Sequence, residues 1–574
     1  MNGSQGDGAA YRRLLTAFSG LGGLLYGADI GIIAAALLYL SKTVDLSLEQ
    51  TSLVVAAVLG GSMFSSLASG VLADWVGRRK MTIVSGVMFL ASIIVIVTSH
   101  GFTGLFLGRL LQGMSGGVIA VVVPLYLAEC LSANERGRGT ALFQFMLTLG
   151  ILIAAFIGWT YTRGAETAIA QAAGNAALIR AAEDHAWRGM FLTVIYPGIL
   201  FFLSSLFLSE TPRWLFRRGR MTEARAALRR GLSEQETAIA WQEMEDLARA
   251  RSEAAASRTG DSLWRRKYVV PFVLACAVLA LTQTTGINSI LSFLVIILRQ
   301  AGMTARLATQ GDVAVKLLNC AMTLVGVALV DRRGRRFLLR VGTGGVVIAL
   351  LAAGLIFHRI EGRTADVRPV LEAAQAGNSV TLPLNSPVLP SAGNGKAVAL
   401  TVVYSYGQGD HMDSVLSDSN DPVLRIAPDA REDGAPLVIR RARYGLVPGQ
   451  ETGWAVAACL ALFILAYALG PGIVVWLVLS EMMPTRIRSS GMGIALLINQ
   501  GVSTVIAALF LPVVGIFGYF AMFFFWAACT VLYFLIARFF LPETKGRTLE
   551  EIEKYFEGDG ERATIAGGGS RASR

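Results

Sequence analysis

The 574-residue chain is 54% hydrophobic and only 16% charged, with a mean hydropathy of +0.55, whereas a soluble domain is roughly 45–50% apolar and about 25% charged. This balance excludes a cytosolic enzyme, because repeated apolar stretches long enough to cross about 30 Å of hydrocarbon make the bilayer the solvent for most of the chain. The net charge of +11 does not indicate nucleic acid, since Lys and Arg sit in short loops between apolar runs, where insertion topology places them.

Residues 1–13 form a polar tail with Arg12 and Arg13 at its end. No small-residue cleavage site follows the first apolar run, which is therefore read as a span and not a removable signal. Runs near 14–40, 51–73, 79–99, 103–131, 138–161 and 188–209 predict an N-terminal six-helix bundle over 14–209. Residues 210–268 are rich in Ala, Glu and Arg and read as a cytoplasmic linker with short amphipathic helices of its own. Runs near 269–299, 309–331 and 337–358 predict spans seven to nine, and runs near 453–481, 489–514 and 518–541 predict spans ten to twelve. Between them, 359–452 has Pro-rich stretches, clustered Asp and strand-like runs at 397–404 and 436–444, the pattern of a small β-rich external insert. Residues 542–574 form a second tail, Gly-, Ser- and Arg-rich at its end.

Twelve spans predict an all-α membrane protein with both termini on one side. Arg78, Arg79, Lys80, Arg136, Arg138, Arg332, Arg333, Arg335, Arg336, Arg486 and Arg488 all lie in loops of N-terminal parity, so that side is expected to be cytoplasmic. The expected location is a bacterial inner membrane or a plasma membrane. The five cysteines have no metal-like spacing, and His100, His185, His358 and His411 fall at span ends or in external segments, so neither a metal nor a cofactor is expected.

The halves carry a repeat. Asp74-Trp-Val-Gly77-Arg78-Arg79 follows the second run, and Asp331-Arg-Arg-Gly334-Arg335-Arg336 follows the eighth. Glu129 precedes Arg136 by 7 residues, as Glu481 precedes Arg488. Glu129 lies 55 residues after Asp74 and Glu481 lies 150 after Asp331, and the excess of 95 matches the insert. A carboxylate, a tight-turn Gly and two guanidinium groups at helix ends can form charge-assisted pairs between neighbouring helices, and such pairs break and re-form if the halves rock. The alternative is that these basic loops only set topology.

These two loops, together with Pro124-Leu-Tyr126-Leu-Ala-Glu129 before Arg136-Gly137, Ser209-Glu-Thr-Pro-Arg213-Trp214, Gln283-Thr-Thr-Gly286-Ile-Asn288, Gly470-Pro471-Gly472 and Pro542-Glu-Thr-Lys-Gly546-Arg, resemble the sugar porters of the major facilitator superfamily. The resemblance covers nearly the whole chain except the insert and the tails. It implies two pseudo-symmetric six-helix bundles and a monosaccharide site at the midplane that opens to alternate sides. It also implies that the repeated loops, with Asp74, Arg78, Arg79, Glu129, Arg136, Asp331, Arg335, Arg336, Glu481 and Arg488, act as a gate on the cytoplasmic face.

A sugar is a ring of hydroxyls with apolar faces, so its binder needs uncharged amides that donate and accept, plus an aromatic platform. Gln144, Gln283, Asn288, Asn319 and Asn499 all lie within spans, where an unsatisfied amide is costly. A lone amide is equally a helix-to-helix hydrogen bond, but these five are similar in position to the family's sugar-contacting amides. Trp476 resembles its stacking aromatic, and Tyr26 is a candidate second wall. The sequence departs from the family where Thr282 replaces the first of two adjacent Gln, where Ser292 and Phe293 replace a Tyr pair, and where Gln500 replaces a Trp. Those changes bear on which sugar is bound.

Asp29 in the first run and Arg109 in the fourth are ionisable groups deep in apolar sequence. The resemblance implies a proton-coupling pair, a static ion pair being the other reading. Asp312 and Lys316, spaced i, i+4 at the start of the eighth run, are expected to form a helix-surface ion pair near the outer interface, the other reading being that Lys316 faces the pathway. The implied function is a secondary transporter of a monosaccharide or similar polyol, working by alternating access as a sugar:proton symporter and acting as a monomer. Its expected partners are the sugar or polyol, protons and the lipid bilayer. A facilitative uniporter is the runner-up. A non-transporting sensor is disfavoured by the 32 residues after Pro542, and an intramembrane enzyme by the lack of a His, Asp or Glu cluster on facing spans.

Overall fold

In hydrocarbon, apolar helices gain nothing by hiding from solvent, so their association rests on close backbone packing and internal hydrogen bonds. The computed structural model describes residues 3–131, 133–256, 265–390, 397–407, 409–418, 422–428, 435–483, 487–543 and 556. Among these, twelve helices are long and apolar enough to cross a membrane. Spans 1 to 6 are Ala10–Thr43, Leu48–Val76, Arg78–Thr98, Phe102–Cys130, Ala141–Gln171 and Ala176–Leu206. Spans 7 to 12 are Tyr268–Gln300, Ala305–Leu329, Arg335–Glu361, Gln450–Trp476, Gly491–Phe517 and Tyr519–Phe539. The linker carries helices Pro212–Arg217, Met221–Gly231 and Glu234–Ala256. It shares one face of the protein, the linker face, with both ends of the helical array; the segment between spans 9 and 10 occupies the opposite, insert face.

Small residues set the packing. Gly23, Gly27 and Gly31, four apart on one side of span 1, lie directly on span 5, and a Cβ at Gly27 would fall 1.9 Å from the Leu147 carbonyl oxygen. Gly150 and Gly158 return the contact from span 5. Spans 2 and 4 meet in the same way, with Gly61 against the Leu110 carbonyl and Gly113 against that of Val58. These contacts fix the depth at which spans 1 and 4 present their polar side chains. Large apolar side chains such as Phe64, Leu107 and Phe525 stay exposed on the spans, as the surface of a helix facing hydrocarbon can.

The described residues of the insert form seven strands: β1 Ala365–Asp366, β2 Gln375–Ala376, β3 Ser379–Pro383, β4 Val398–Ser405, β5 Asp410–Leu416, β6 Val423–Ile426 and β7 Val438–Leu446. They form an antiparallel sheet of order β1-β7-β4-β5 and a second of order β2-β3-β6. The alternating burial of β3, β4 and β7 builds a separate core around Leu400, Val402, Leu424 and Ala442. Arg441 anchors the insert to the C-terminal half through Glu361 at 2.7 Å and the carbonyls of Val514 and Gly515 at 3.2 and 3.3 Å. On the N-terminal half, the Asp410 N–H donates to Glu49 at 3.0 Å and His411 lies 3.6 Å from Asp45.

Gly27→Val inserts a branched side chain where backbones touch, and should cost about 3 kcal/mol by overpacking. A clear fall in the Tm of the purified protein, with lower membrane yield, is expected; an unchanged Tm would show that spans 1 and 5 are not closely packed there.

Candidate functional site

The helix of span 7 breaks into Arg266–Thr284 and Ile287–Gln300. Gly286 sits at the break with φ +83°, and a Cβ there would lie 2.4 Å from the Trp526 ring, so both backbone and space demand glycine. The break lets side chains on either side of it converge. Asn288 donates to the Gln283 side-chain oxygen Oε1 at 3.0 Å and to the Ser503 hydroxyl at 2.7 Å. Gln283 donates to Asn499 at 3.2 Å, and Asn499 donates to the Leu279 carbonyl at 3.1 Å. Three of the five expected amides therefore form one network between spans 7 and 11. Asn319 is half-buried and Gln144 exposed, and neither side chain joins this network. Trp476 is 46% exposed. Thr282 turns away, to the Val278 carbonyl and to Tyr533 in span 12 at 2.9 Å.

Two residues that sequence reasoning did not assign complete the picture. Ser503 lies one turn beyond Asn499 on the same side of the helix, and that i, i+4 spacing was the available signal. Gln500, noted only as a departure, donates across the halves to Ser62 at 3.2 Å, and the Tyr26 hydroxyl interacts with the same two side chains. The Tyr26 ring and Asp29 Oδ2 both lie against Gly116 of span 4. Tyr26, Ser62 and Gln500 thus form a polar cluster, with Asp29 beside Tyr26 on Gly116 and Gln500 next in sequence to Asn499.

Asp29 and Arg109 are 1% and 2% exposed and meet through one contact, Nη1 to Oδ1 at 3.2 Å. The same Nη1 donates to Gln112 at 2.7 Å, and the guanidinium lies 5.6 Å from the Phe191 ring centre. Asp29 Oδ2, Arg109 Nε and Gln112 Nε2 are buried without hydrogen-bond partners. A bidentate pair would use both carboxylate oxygens; this one leaves an acceptor unspent.

The expectation of a surface ion pair at Asp312 and Lys316 is overturned. They are 1% and 0% exposed, 2.8 Å apart, and Lys316 also donates to the Gly31 carbonyl of span 1 at 3.1 Å. The error was one of azimuth: i, i+4 spacing shows that two side chains share a face of the helix, not what that face meets.

On the linker face, Arg78 contacts Asp74 at 2.6 Å and Glu129 at 3.0 Å. Arg217 of the linker bridges the same acids at 3.3 and 3.1 Å. In the other half Arg335 lies 3.1 Å from Glu481. Arg79 donates to the Leu206 carbonyl at 2.9 Å and Arg336 to that of Arg538. Every one of these contacts stays within its own half or its linker helix. The side chains of Arg136, Asp331 and Arg488 lie outside the described residues.

The repeat has a member that sequence reasoning missed. The Glu210 carboxylate accepts from the backbone N–H groups of Arg78 and Arg79 at 2.8 and 3.2 Å, and Glu543 accepts from those of Arg335 and Arg336 at 3.0 and 3.1 Å. Each caps the start of a span with negative charge at the positive end of the helix. Gly77 and Gly334, at φ +103° and +87°, leave room for the two carboxylates. The Glu-Thr dipeptide after the last span of each half was the signal.

A family profile described as sugar (and other) transporter matches residues 15–371 and 442–556. The chain belongs to the sugar porter family of the major facilitator superfamily. It is a transporter, not an enzyme, and the unmatched stretch 372–441 falls inside the insert. Similar proteins include the putative metabolite transport protein YwtG of Bacillus subtilis, 27% identical over 94% of this chain and 93% of that one. The proton myo-inositol cotransporter of Homo sapiens is 26% identical over 96% and 83%, and the glucose transporter GlcP of Staphylococcus epidermidis 25% over 95% and 97%. The fold is that of the xylose transporter XylE from E. coli in its inward open conformation, with a TM-score of 0.65, 20% identity, and coverage of 94% of this chain and 98% of that one.

Replacing either capping carboxylate should loosen its helix start by about 1–2 kcal/mol. In Glu210→Ala the amides of Arg78 and Arg79, and in Glu543→Ala those of Arg335 and Arg336, should exchange with solvent deuterium about tenfold faster. Unchanged exchange would show that the caps are unoccupied in solution.

Proposed function

We propose that this transporter moves a monosaccharide or a polyol such as an inositol together with a proton, by alternating access, as a monomer with its linker face in the cytoplasm. The polar cluster of Tyr26, Ser62 and Gln500, set between Asp29 and the amide network, is the observation that carries this reading. Gln283, Asn288, Asn499 and Ser503 offer donors and acceptors on one surface, as a polyhydroxylated ligand requires, while Asn319, Gln144 and Trp476 remain free to meet it from neighbouring spans. Tyr26 and Gln500 lie between this network and Asp29, so a ligand held by the amides touches the groups that neighbour the acid. Resemblance to a proton myo-inositol cotransporter and a glucose transporter supports the ligand class, and the basic loops of the linker face support the orientation.

Proton coupling needs an acid with two protonation states tied to two helix arrangements. Asp29 has a free carboxylate oxygen and a single contact to Arg109. Opening of the seam beside span 1 lets water reach this carboxylate, where a proton competes with the Arg109 contact. The paired residues of the linker face tie each half into a unit, which leaves the seam between halves as the place of motion.

Two outcomes test this reading in proteoliposomes supplied with labelled monosaccharides and inositols. Gln283→Ala and Asn288→Ala should each weaken binding of the accepted substrate by about 1–3 kcal/mol, read by calorimetry or counterflow; unchanged affinity in both removes them from the site. Asp29→Asn should abolish accumulation driven by a pH gradient yet retain counterflow, because exchange requires only that the loaded carrier reorients. Uphill uptake by Asp29→Asn would make the pair structural, and absence of proton movement in the unmodified protein would assign a uniporter.

A further inference from the structure

The Asp312–Lys316 pair has no part in the function proposed above. Both side chains are fully buried in span 8, with Nζ 2.8 Å from Asp312 Oδ2. A pair serving only its own helix would leave the ammonium's other donors inside span 8. Lys316 instead reaches into the other half, to the Gly31 carbonyl of span 1 at 3.1 Å. The other hydrogen bonds described across this seam within the spans join neutral groups: Leu511 N–H to Ser52 at 3.1 Å, Gln500 to Ser62 at 3.2 Å, and Thr148 to Cys320 Sγ at 3.7 Å. Asp312 Oδ1 remains buried without a partner, so the charges are held in a dry seam without full compensation.

We propose that Lys316 is a positioning residue for transport, a charged lock that holds spans 1 and 8 together while the insert face is closed. Opening that face requires span 1 to leave span 8, and water then enters the seam. The ion pair travels with span 8; the bond to Gly31 breaks. A charge-assisted hydrogen bond is strong where water is excluded and weak where water competes, so the lock holds when shut and releases once wetted. Its location links it to the transported species, since Gly31 lies two residues from Asp29 and Lys316 three from Asn319.

The test reads the seam directly. Ser52, fully buried against span 11, is changed to Cys, and its labelling by a membrane-impermeant thiol reagent is followed from the insert face, with the Ser52 protein as baseline for the native cysteines. Lys316→Met leaves Asp312 buried without a counter-charge and is at risk of misfolding, so Asp312→Asn/Lys316→Met, which carries no charge, is the decisive variant. Its Ser52→Cys form should label about tenfold faster, the shift expected on losing one charge-assisted hydrogen bond from the closed state. Labelling at the parental rate in this double variant overturns the proposal and confines the pair to span 8. The inference rests on alternating access but not on proton coupling or on a particular sugar. Failure of Ser52→Cys to label in any variant, even during active counterflow, would count against opening of this seam itself; labelling that is equal in all of them counts only against Lys316.

Discussion

A polar group inside the hydrocarbon has no water to bond with, so its partner must come from the protein, and most of what distinguishes this molecule follows from that constraint. Three polar groups within the spans stand out: the amide network of spans 7 and 11, Asp29 with Arg109, and Asp312 with Lys316. All three lie on or beside the seam between the halves. At two of them a carboxylate oxygen is left buried without a partner, which is costly in so dry a place. The glycines of spans 1, 2, 4 and 5 make these positions attainable, because only backbone contact brings span 1 close enough for Asp29 to meet Arg109 and for Gly31 to receive Lys316.

The repeat on the linker face acts through helix ends. In each half a glutamate after the last span caps the first turn of another span, while an arginine from the same loop reaches a carbonyl at the end of that last span. Helix starts are bound to helix ends, which stiffens each half as a body. The insert works on the other face by a different arrangement, with a firm anchor through Arg441 to the C-terminal half and lighter polar contacts to the N-terminal half. Rigid halves with a polar seam and a clasp on one face form a system whose soft coordinate is the angle between the halves.

Much of this was legible in residue order. Hydropathy determines the number and approximate bounds of the spans, because crossing a bilayer demands length and apolarity whatever the neighbours are. The repeated Asp-x-x-Gly-Arg-Arg loops established the internal symmetry, and the Gln283-Thr-Thr-Gly286-Ile-Asn288 motif put Gln283 and Asn288 in the same list of candidates. Even the missed caps had a trace in the two Glu-Thr dipeptides.

What only the tertiary structure decided was azimuth and partnership. A helix shows its sequence neighbours every 3.6 residues, but the direction in which a given face points depends on which other helix supplies the gap, and that is a long-range property. Thus Thr282 turned toward Tyr533 and away from the amides, Gln500 reached across to Ser62, and Asp312 with Lys316 moved from an expected surface to a fully buried place on the seam. The residues and their spacing were determined by the sequence alone; which of them meet was decided by glycine-permitted contacts between helices far apart in the chain, because in a bilayer those contacts, and not exclusion from water, choose the packing.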